Sequence, residues 1–184
     1  IVGILLAVVL CTLLGITIEY IAYRPLRQAA SSLAVLITAI GVSYFLQNIA
    51  LIIFGANTKA FTSVVTIPAL RLAEGQIIIS GETIVTIVSC IVIMTGLTLF
   101  INKTKAGQAM LAVSEDKGAA QLMGINVNRT ISLTFAIGSA LAAIAGMLLC
   151  SAYPSLTPYT GSMPGIKAFV AAVFGGIGSI PGAL

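Results

Sequence analysis

The residues of this sequence that could do chemistry form neither a catalytic set nor a metal site. Histidine is absent, which removes the Ser–His and Cys–His nucleophilic pairs and the commonest transition-metal ligand. No Gly-Lys-Ser or Gly-Lys-Thr step of a phosphate-binding loop occurs. Three cysteines lie in or beside apolar stretches at no metal-like spacing: Cys11, Cys90 and Cys150. We therefore expect a chain that is not an enzyme and that holds no cofactor or metal of its own.

Much of the charge that the chain does carry is gathered in one polar segment, residues 103–129. Ser114 is expected to cap a short helix there, with Glu115 and Asp116 in the first turn, where negative charge is favourable. Gly124 suits the end of that helix. Its apolar face would hold Ala119, Leu122 and Met123. Since so short a helix is marginal alone, we expect it to dock on another surface; a solvated loop is the alternative.

The elements that carry this segment are predicted to be membrane helices. Of the 184 residues, 59% are hydrophobic and 8% are charged, with a mean hydropathy of +1.13, whereas soluble domains have about 25% charged residues. Five stretches approach the roughly 20 apolar residues that cross a membrane, namely residues 1–18, 31–56, 83–102, 130–152 and 165 to about 184. The fold class is therefore all-α: a polytopic transmembrane helix bundle with about five spans, the last of them broken.

The acidic residues all lie outside these five stretches: Glu19, Glu74, Glu82, Glu115 and Asp116. Glu19 is expected to close the first span, and Pro25 to stop its helix. A proton-driven carrier normally keeps an ionisable group within the membrane, so this distribution argues against a self-sufficient carrier. Because the chain begins at Ile1 without methionine, we expect a fragment of a single transmembrane domain over residues 1–184, truncated at both ends.

Lysine and arginine counts orient the chain in the membrane. The loops at residues 19–30 and 103–129 carry six of these residues, and the opposite side carries three. Positive charge favours the cytoplasmic side, so residues 103–129 are expected in the cytoplasm and residues 57–82 outside it. The outer loop alternates apolar and polar residues, which predicts an extended cap or a β-hairpin. This bias accounts for the net charge of +4 without a nucleic-acid partner.

Two groups of residues inside the spans are candidates for lining a translocation pathway. The first shares one side of the second span, at helical spacings i, i+3 and i+4, and fits either interhelical hydrogen bonding or a lining: Tyr44, Gln47 and Asn48. The second breaks the last span and fits either a pathway or a packing kink: Gly175, Gly176 and Gly178.

A third group is predicted to pack helices together. Small residues at a four-residue spacing let two helix backbones approach closely. The fourth span has three of them, namely Gly138, Ala142 and Gly146.

Several short motifs, taken in order, resemble one known family. They are residues 23–27 (YRPLR), 54–55 (FG), 104–107 (TKAG), 119–120 (AA) with 124–125 (GI), 134–140 (TFAIGSA) and 175–182 (GGIGSIPG). Together they are similar to the H-type permease subunit of bacterial branched-chain amino acid ABC importers. The resemblance implies a multi-pass protein of the cytoplasmic (inner) membrane that moves leucine, isoleucine or valine by alternating access.

That resemblance also implies partners. They are a homologous second permease, two ATPase subunits that carry the ATP and Mg, an extracytoplasmic binding protein, and membrane lipid. Residues 103–129 would be the coupling segment, whose helix is similar to the EAA-x-x-x-G motif at Ala119, Ala120 and Gly124. Gly118 departs from the Glu of that motif, so Glu115, Asp116 and Lys117 are candidates for a charged contact. Two alternatives remain: a related importer of sugars, urea or short amides, and a self-sufficient carrier or channel.

Overall fold

The computed structural model describes residues 2–26, 32–60, 70–72, 77–79 and 81–176. Within them, four helices are long and apolar enough to cross a membrane: Val2–Leu26, Ile37–Phe54, Gly81–Lys103 and Val127–Ala152. Large apolar side chains point away from the protein along them, as at Ile37 (70% exposed) and Ile52 (81% exposed). Such a surface suits lipid, in which only a helix satisfies the backbone of an isolated span. The predicted membrane helix bundle and its first four spans are confirmed.

The elements of the described residues follow one another in a simple order. The helices are α1 (Val2–Ile18), a π-helical turn (Glu19–Tyr23), α2 (Arg24–Leu26), α3 (Ser32–Phe54), α4 (Gly81–Lys103), α5 (Lys105–Glu115), α6 (Lys117–Leu122), α7 (Val127–Ala152) and α8 (Ser162–Phe174). The strands are β1 (Lys59–Ala60), β2 (Leu70–Leu72), β3 (Ile77–Ile79) and β4 (Ser155–Leu156). The chain divides into two compact units, one formed by Ile1–Ile53 with Phe100–Ala145 and the other by Phe54–Leu99 with Gly146–Leu184.

The first helix is longer than predicted, and this corrects the placement of Glu19. It runs from Val2 to Leu26, because the π-helical turn continues α1 directly into α2. The N–H of Arg24 donates to the Glu19 carbonyl, one residue further back than in an α-helix. Pro25 lies within this continuous helix, so the prediction that it stops the helix is wrong. Glu19 therefore lies inside the helix and is only 1% exposed.

In the first unit, the first helix packs against α7. Glu19 accepts a hydrogen bond from the Ser132 hydroxyl, with 2.6 Å between the oxygens. A side chain at Gly15 would collide with Ser139, so the two backbones approach closely there. Gly15 meets Ser139, whereas the later Glu19 meets the earlier Ser132, so the two helices run in opposite directions. This agrees with their place in the chain, because the first and fourth of four successive spans cross a membrane in opposite senses.

The second unit contains two small antiparallel strand pairs. β2 pairs with β3, with Leu70 opposite Ile79 and Leu72 opposite Ile77, which confirms a hairpin in the predicted outer loop. β1 pairs with β4, a contact that was not predicted because two-residue strands have no readable periodicity.

The predicted fifth span begins in α8. This helix has 13 residues, fewer than the roughly 20 that cross a membrane. It ends at Phe174, and Gly176 follows with a φ of +89°, a left-handed conformation that favours glycine. The predicted break after this helix therefore begins at Gly175 and Gly176, while residues 177–184 lie outside the described residues.

Candidate functional site

The polar segment at residues 103–129, termed the elbow, is formed by three closely spaced helices. Thr104 separates α4 from α5, and its hydroxyl oxygen accepts the Gly107 N–H at 3.0 Å. The same hydroxyl donates to the Phe100 carbonyl at 2.7 Å. One side chain thus caps the start of α5 and completes the end of α4, which fixes the corner between the two helices.

Gly107 makes this corner possible. It is buried, and a Cβ there would meet the Ile101 backbone and would lie 2.5 Å from the Phe100 carbonyl oxygen. Because these are backbone atoms, no side-chain rotation could relieve the collision. The corner therefore needs a residue without a side chain at this position.

Asp116 separates α5 from α6, which corrects the predicted cap at Ser114. Asp116 is extended (φ −146°, ψ 111°), and its Oδ1 accepts the N–H groups of Gly118 at 2.7 Å and Ala119 at 3.1 Å. Ser114 instead donates its hydroxyl to the Leu111 carbonyl within α5. Ser114 lies inside α5, which continues to Glu115, so its hydroxyl bonds within that helix and does not cap the next one. Asp116 caps α6 instead, because its carboxylate reaches two free N–H groups.

Gly124 ends α6, as predicted. Its φ of +81° is left-handed, and its N–H donates to the Gln121 carbonyl at 3.0 Å. The Ile125 N–H then reaches back to the Ala120 carbonyl at 3.0 Å. This pattern satisfies the last carbonyls of a helix and turns the chain sharply. Both ends of α6 are therefore fixed by specific hydrogen bonds.

Between these caps, α6 presents the predicted apolar residues on the outside of the elbow. Leu122 is 90% exposed and Met123 is 83% exposed. Ala119 is exposed beside them, whereas Ala120 is 3% exposed and faces inward. The candidate charged residues are exposed as well: Glu115, Asp116 and Lys117. An apolar tip surrounded by polar groups is typical of a surface that another protein covers.

A groove of about 600 Å³ lies beside this tip. It is formed by α6 and the first turns of α7, and is lined by Lys117, Gln121, Gly124, Ile125, Asn126, Val127, Asn128 and Ile131. Asn126 caps α7, because its Oδ1 accepts the Arg129 N–H at 3.1 Å. Lys117 is the one charged residue among those lining the groove, which gives it a positive edge suited to an acidic side chain.

The candidate pathway residues of α3 are largely open to the surroundings of the helix. Tyr44 is 62% exposed, Asn48 is exposed and Gln47 is half-buried. The Asn48 amide donates to the Tyr44 carbonyl at 2.7 Å within the same helix, rather than to another helix. Their role as a lining stays a prediction. Gly175 and Gly176 lie at the end of α8, and Gly178 is outside the described residues.

The small residues of α7 predicted to pack are exposed. Gly138, Ala142 and Gly146 all lie on the outer surface of the helix, and no described atom comes within 4 Å of a Cβ built at either glycine. The adjacent stripe makes the observed contact instead, since Ser139 meets Gly15 and Ala143 is buried. Packing through the exposed stripe stays a prediction.

The pair of Glu19 and Ser132 was missed by the sequence interpretation. The signal that could have revealed it is the spacing of Gly15, Glu19 and Tyr23, which places all three on one side of a helix that continues past residue 18. The ring of Tyr23 lies 5.0 Å from that of Phe135, at 43°, so this side of the first helix faces α7. The prediction failed because the first span was ended at the first charge.

The four long apolar helices define a multi-pass membrane protein. Residues 1–184 match the family described as "Branched-chain amino acid transport system / permease component", and the chain belongs to this family. It is therefore a permease component, not an enzyme.

Curated relatives agree with this family. The chain is 43% identical to the high-affinity branched-chain amino acid transport system permease protein LivH of Salmonella typhimurium, over 99% of this chain and 59% of that protein. It is 42% identical to the corresponding BraD of Pseudomonas aeruginosa, over 97% of this chain and 58% of that protein. A probable branched-chain amino acid transport permease protein LivH of Methanocaldococcus jannaschii is 31% identical, over 91% of this chain and 53% of that protein. The chain thus spans less than two thirds of these relatives, and no solved structure matches it significantly.

Proposed function

We propose that this chain is part of a permease subunit that imports branched-chain amino acids across the cytoplasmic membrane, driven by separate ATPase subunits. The observation that carries the proposal is the 43% identity, over nearly the whole chain, to a permease named for high-affinity transport of these amino acids. The transport cycle is alternating access: closure of the ATPases moves the elbow, and the attached helices tilt to open the pathway.

The elbow supports docking of an ATPase. It presents two large, highly exposed apolar side chains, Leu122 and Met123, on a helix whose ends are fixed by hydrogen bonds. Because only residues 123–126 connect α6 to α7, a displacement of α6 by a bound ATPase would also displace α7. The positive groove at Lys117 adds a site for an acidic side chain of the ATPase.

The remaining partners follow from the same proposal. A homologous permease would cover the exposed faces of the spans, including the stripe of Gly138, Ala142 and Gly146. A binding protein would deliver the amino acid to the outer loops, which contain the hairpin of β2 and β3 and the pair of β1 and β4.

The test is transport by the full-length permease in liposomes, together with its second permease, ATPases and binding protein. We expect leucine uptake that needs ATP and that competes with isoleucine and valine. If a monosaccharide, urea or a short amide inhibits uptake better than isoleucine and valine do, the chain is a related ABC permease with a different substrate.

Variants of the elbow test the docking surface. Leu122→Ser with Met123→Ser should abolish co-purification with the ATPases while changing folding stability by less than about 0.5 kcal/mol, because both side chains are exposed. Tyr153→Ser is the matched control, since Tyr153 is also exposed (65%) but lies in the loop after α7. Equal ATPase binding by the wild type, the double variant and the control would contradict docking at α6.

Glu19 is the observation that favours a second candidate, a proton-coupled carrier. It is a buried acid within a membrane helix, and such residues serve proton relays in many transporters. The discriminating experiment places the permease alone in liposomes with a pH gradient. Uptake under those conditions would show that the permease is a proton-coupled carrier and would contradict ATP-driven import.

A further inference from the structure

The buried carboxyl group of Glu19 lies outside the elbow, so it is not part of the proposed docking surface. Its side chain is 1% exposed and is the largest fully buried side chain among the described residues. Burying a carboxylate costs free energy even when it is hydrogen-bonded, and an apolar side chain of similar size is often as stable or more so. Stability alone therefore does not account for a glutamate at this position.

The backbone at Glu19 is also unusual. Glu19 opens the π-helical turn that ends at Tyr23, and single π-helical turns within α-helices often mark functional positions. The turn directs both side chains toward α7, where Glu19 meets Ser132 and Tyr23 meets Phe135. Together with the close approach of Gly15 to Ser139, these make three contacts between the first helix and α7.

Ser132 lies in α7 only three residues after the end of the elbow. α6 ends at Gly124, and α7 begins at Val127 under the cap of Asn126. Ser132 lies five residues further on, about 7 to 8 Å along the helix axis. Since a helix of 26 residues is stiff over that distance, a tilt of the elbow displaces Ser132 directly.

We propose that the hydrogen bond between Glu19 and Ser132 is a positioning link, through which a displacement of the elbow passes from α7 to the first helix. This inference rests on the proposed ATP-driven transport. Glu19 is then a positioning residue: it does not touch the transported amino acid, and it makes the first span move together with α7. Without the bond, the ATPases still dock and hydrolyse ATP, but the first span does not follow and import falls.

The test measures the number of leucine molecules imported per ATP hydrolysed, using the reconstituted full-length transporter. Glu19→Met keeps the side-chain volume and loses the bond, and Ser132→Ala removes the donor. Each should lower the ratio about tenfold, within the range of roughly 5- to 150-fold typical of coupling between sites, while ATPase binding stays at the wild-type level.

Conservative variants and a control separate coupling from folding. Glu19→Gln keeps an accepting oxygen and Ser132→Thr keeps the hydroxyl, so both should recover most of the ratio. Thr134→Ala is the control on the same helix, because Thr134 is exposed and its hydroxyl donates to the Thr130 carbonyl. That variant should transport like the wild type.

A double variant makes the proposal falsifiable. If both side chains act through one bond, Glu19→Met combined with Ser132→Ala should be no worse than the worse single variant. Wild-type ratios in the single variants, multiplicative losses in the double variant, or loss of folded protein in both single variants would each overturn the link. A wild-type transporter that imports nothing with ATP would instead refute the proposed function.

Discussion

Gly107 and Gly124 are two glycines of the elbow that are needed for different physical reasons. A side chain at Gly107 would collide with the backbone at Phe100 and Ile101. At Gly124 no described atom lies within 4 Å of the position that a Cβ would take, but the φ of +81° is strained for other residues. The first position is limited by space and the second by backbone conformation, and their substitutions should behave differently.

Gly107→Ala should destabilise the folded protein by about 1 to 3 kcal/mol, the usual cost of overpacking. Thermal unfolding in detergent measures this loss. Gly96→Ala is the control, because Gly96 lies in α4 with no described atom within 4 Å of an added Cβ, and alanine favours a helix by up to about 1 kcal/mol. A Gly107→Ala protein as stable as the control would show that the corner relaxes at no cost.

Gly124→Val should uncouple ATP hydrolysis from import while leaving expression intact. A β-branched residue is disfavoured in the left-handed conformation by roughly 1 to 2 kcal/mol, so the end of α6 rearranges without unfolding the spans. Gly124→Asn is the matched variant, since asparagine tolerates this conformation, and it should retain most transport. Wild-type uptake by Gly124→Val would refute the coupling role of this turn.

At the scale of elements, α6 has six residues and depends on its caps. Asp116→Ala removes the acceptor of two N–H groups and should destabilise the helix by about 1 kcal/mol. The expected result is weaker ATPase binding with unchanged expression, measured by co-purification. Asp116→Asn keeps an accepting oxygen and should bind normally, whereas equal weakening by both variants would implicate the charge rather than the cap.

The long helices could be predicted from the sequence because an uncharged apolar run of membrane length has one stable conformation in lipid. Features that depend on competition or on distant partners could not. Ser114 and Asp116 are both good caps, and only the path of the backbone decides between them. Glu19 was placed outside the first span because it is charged, and its partner Ser132, which lies 113 residues away, could not be recognised from the sequence.

At the scale of the whole molecule, membrane topology is directly testable. With the three native cysteines replaced by alanine, Ser114→Cys should react with an impermeant thiol reagent only from the cytoplasm. Asn57→Cys should react only from outside the cell, and both positions are exposed. Labelling of Ser114→Cys from outside the cell and of Asn57→Cys from the cytoplasm would contradict the orientation inferred from lysine and arginine.

The link between the first helix and α7 also constrains how the protein is made. Glu19 is synthesised before its partner, because the hydroxyl that it binds belongs to a residue 113 positions later in the chain. At translation rates of about 5 to 20 residues per second, the nascent first helix spends roughly 6 to 23 seconds without Ser132. During that interval the helix has not yet gained the neighbour that buries its acid. The packing of the first helix against α7 therefore cannot be completed before Ser132 is synthesised, so the order of synthesis limits when these two helices can assemble.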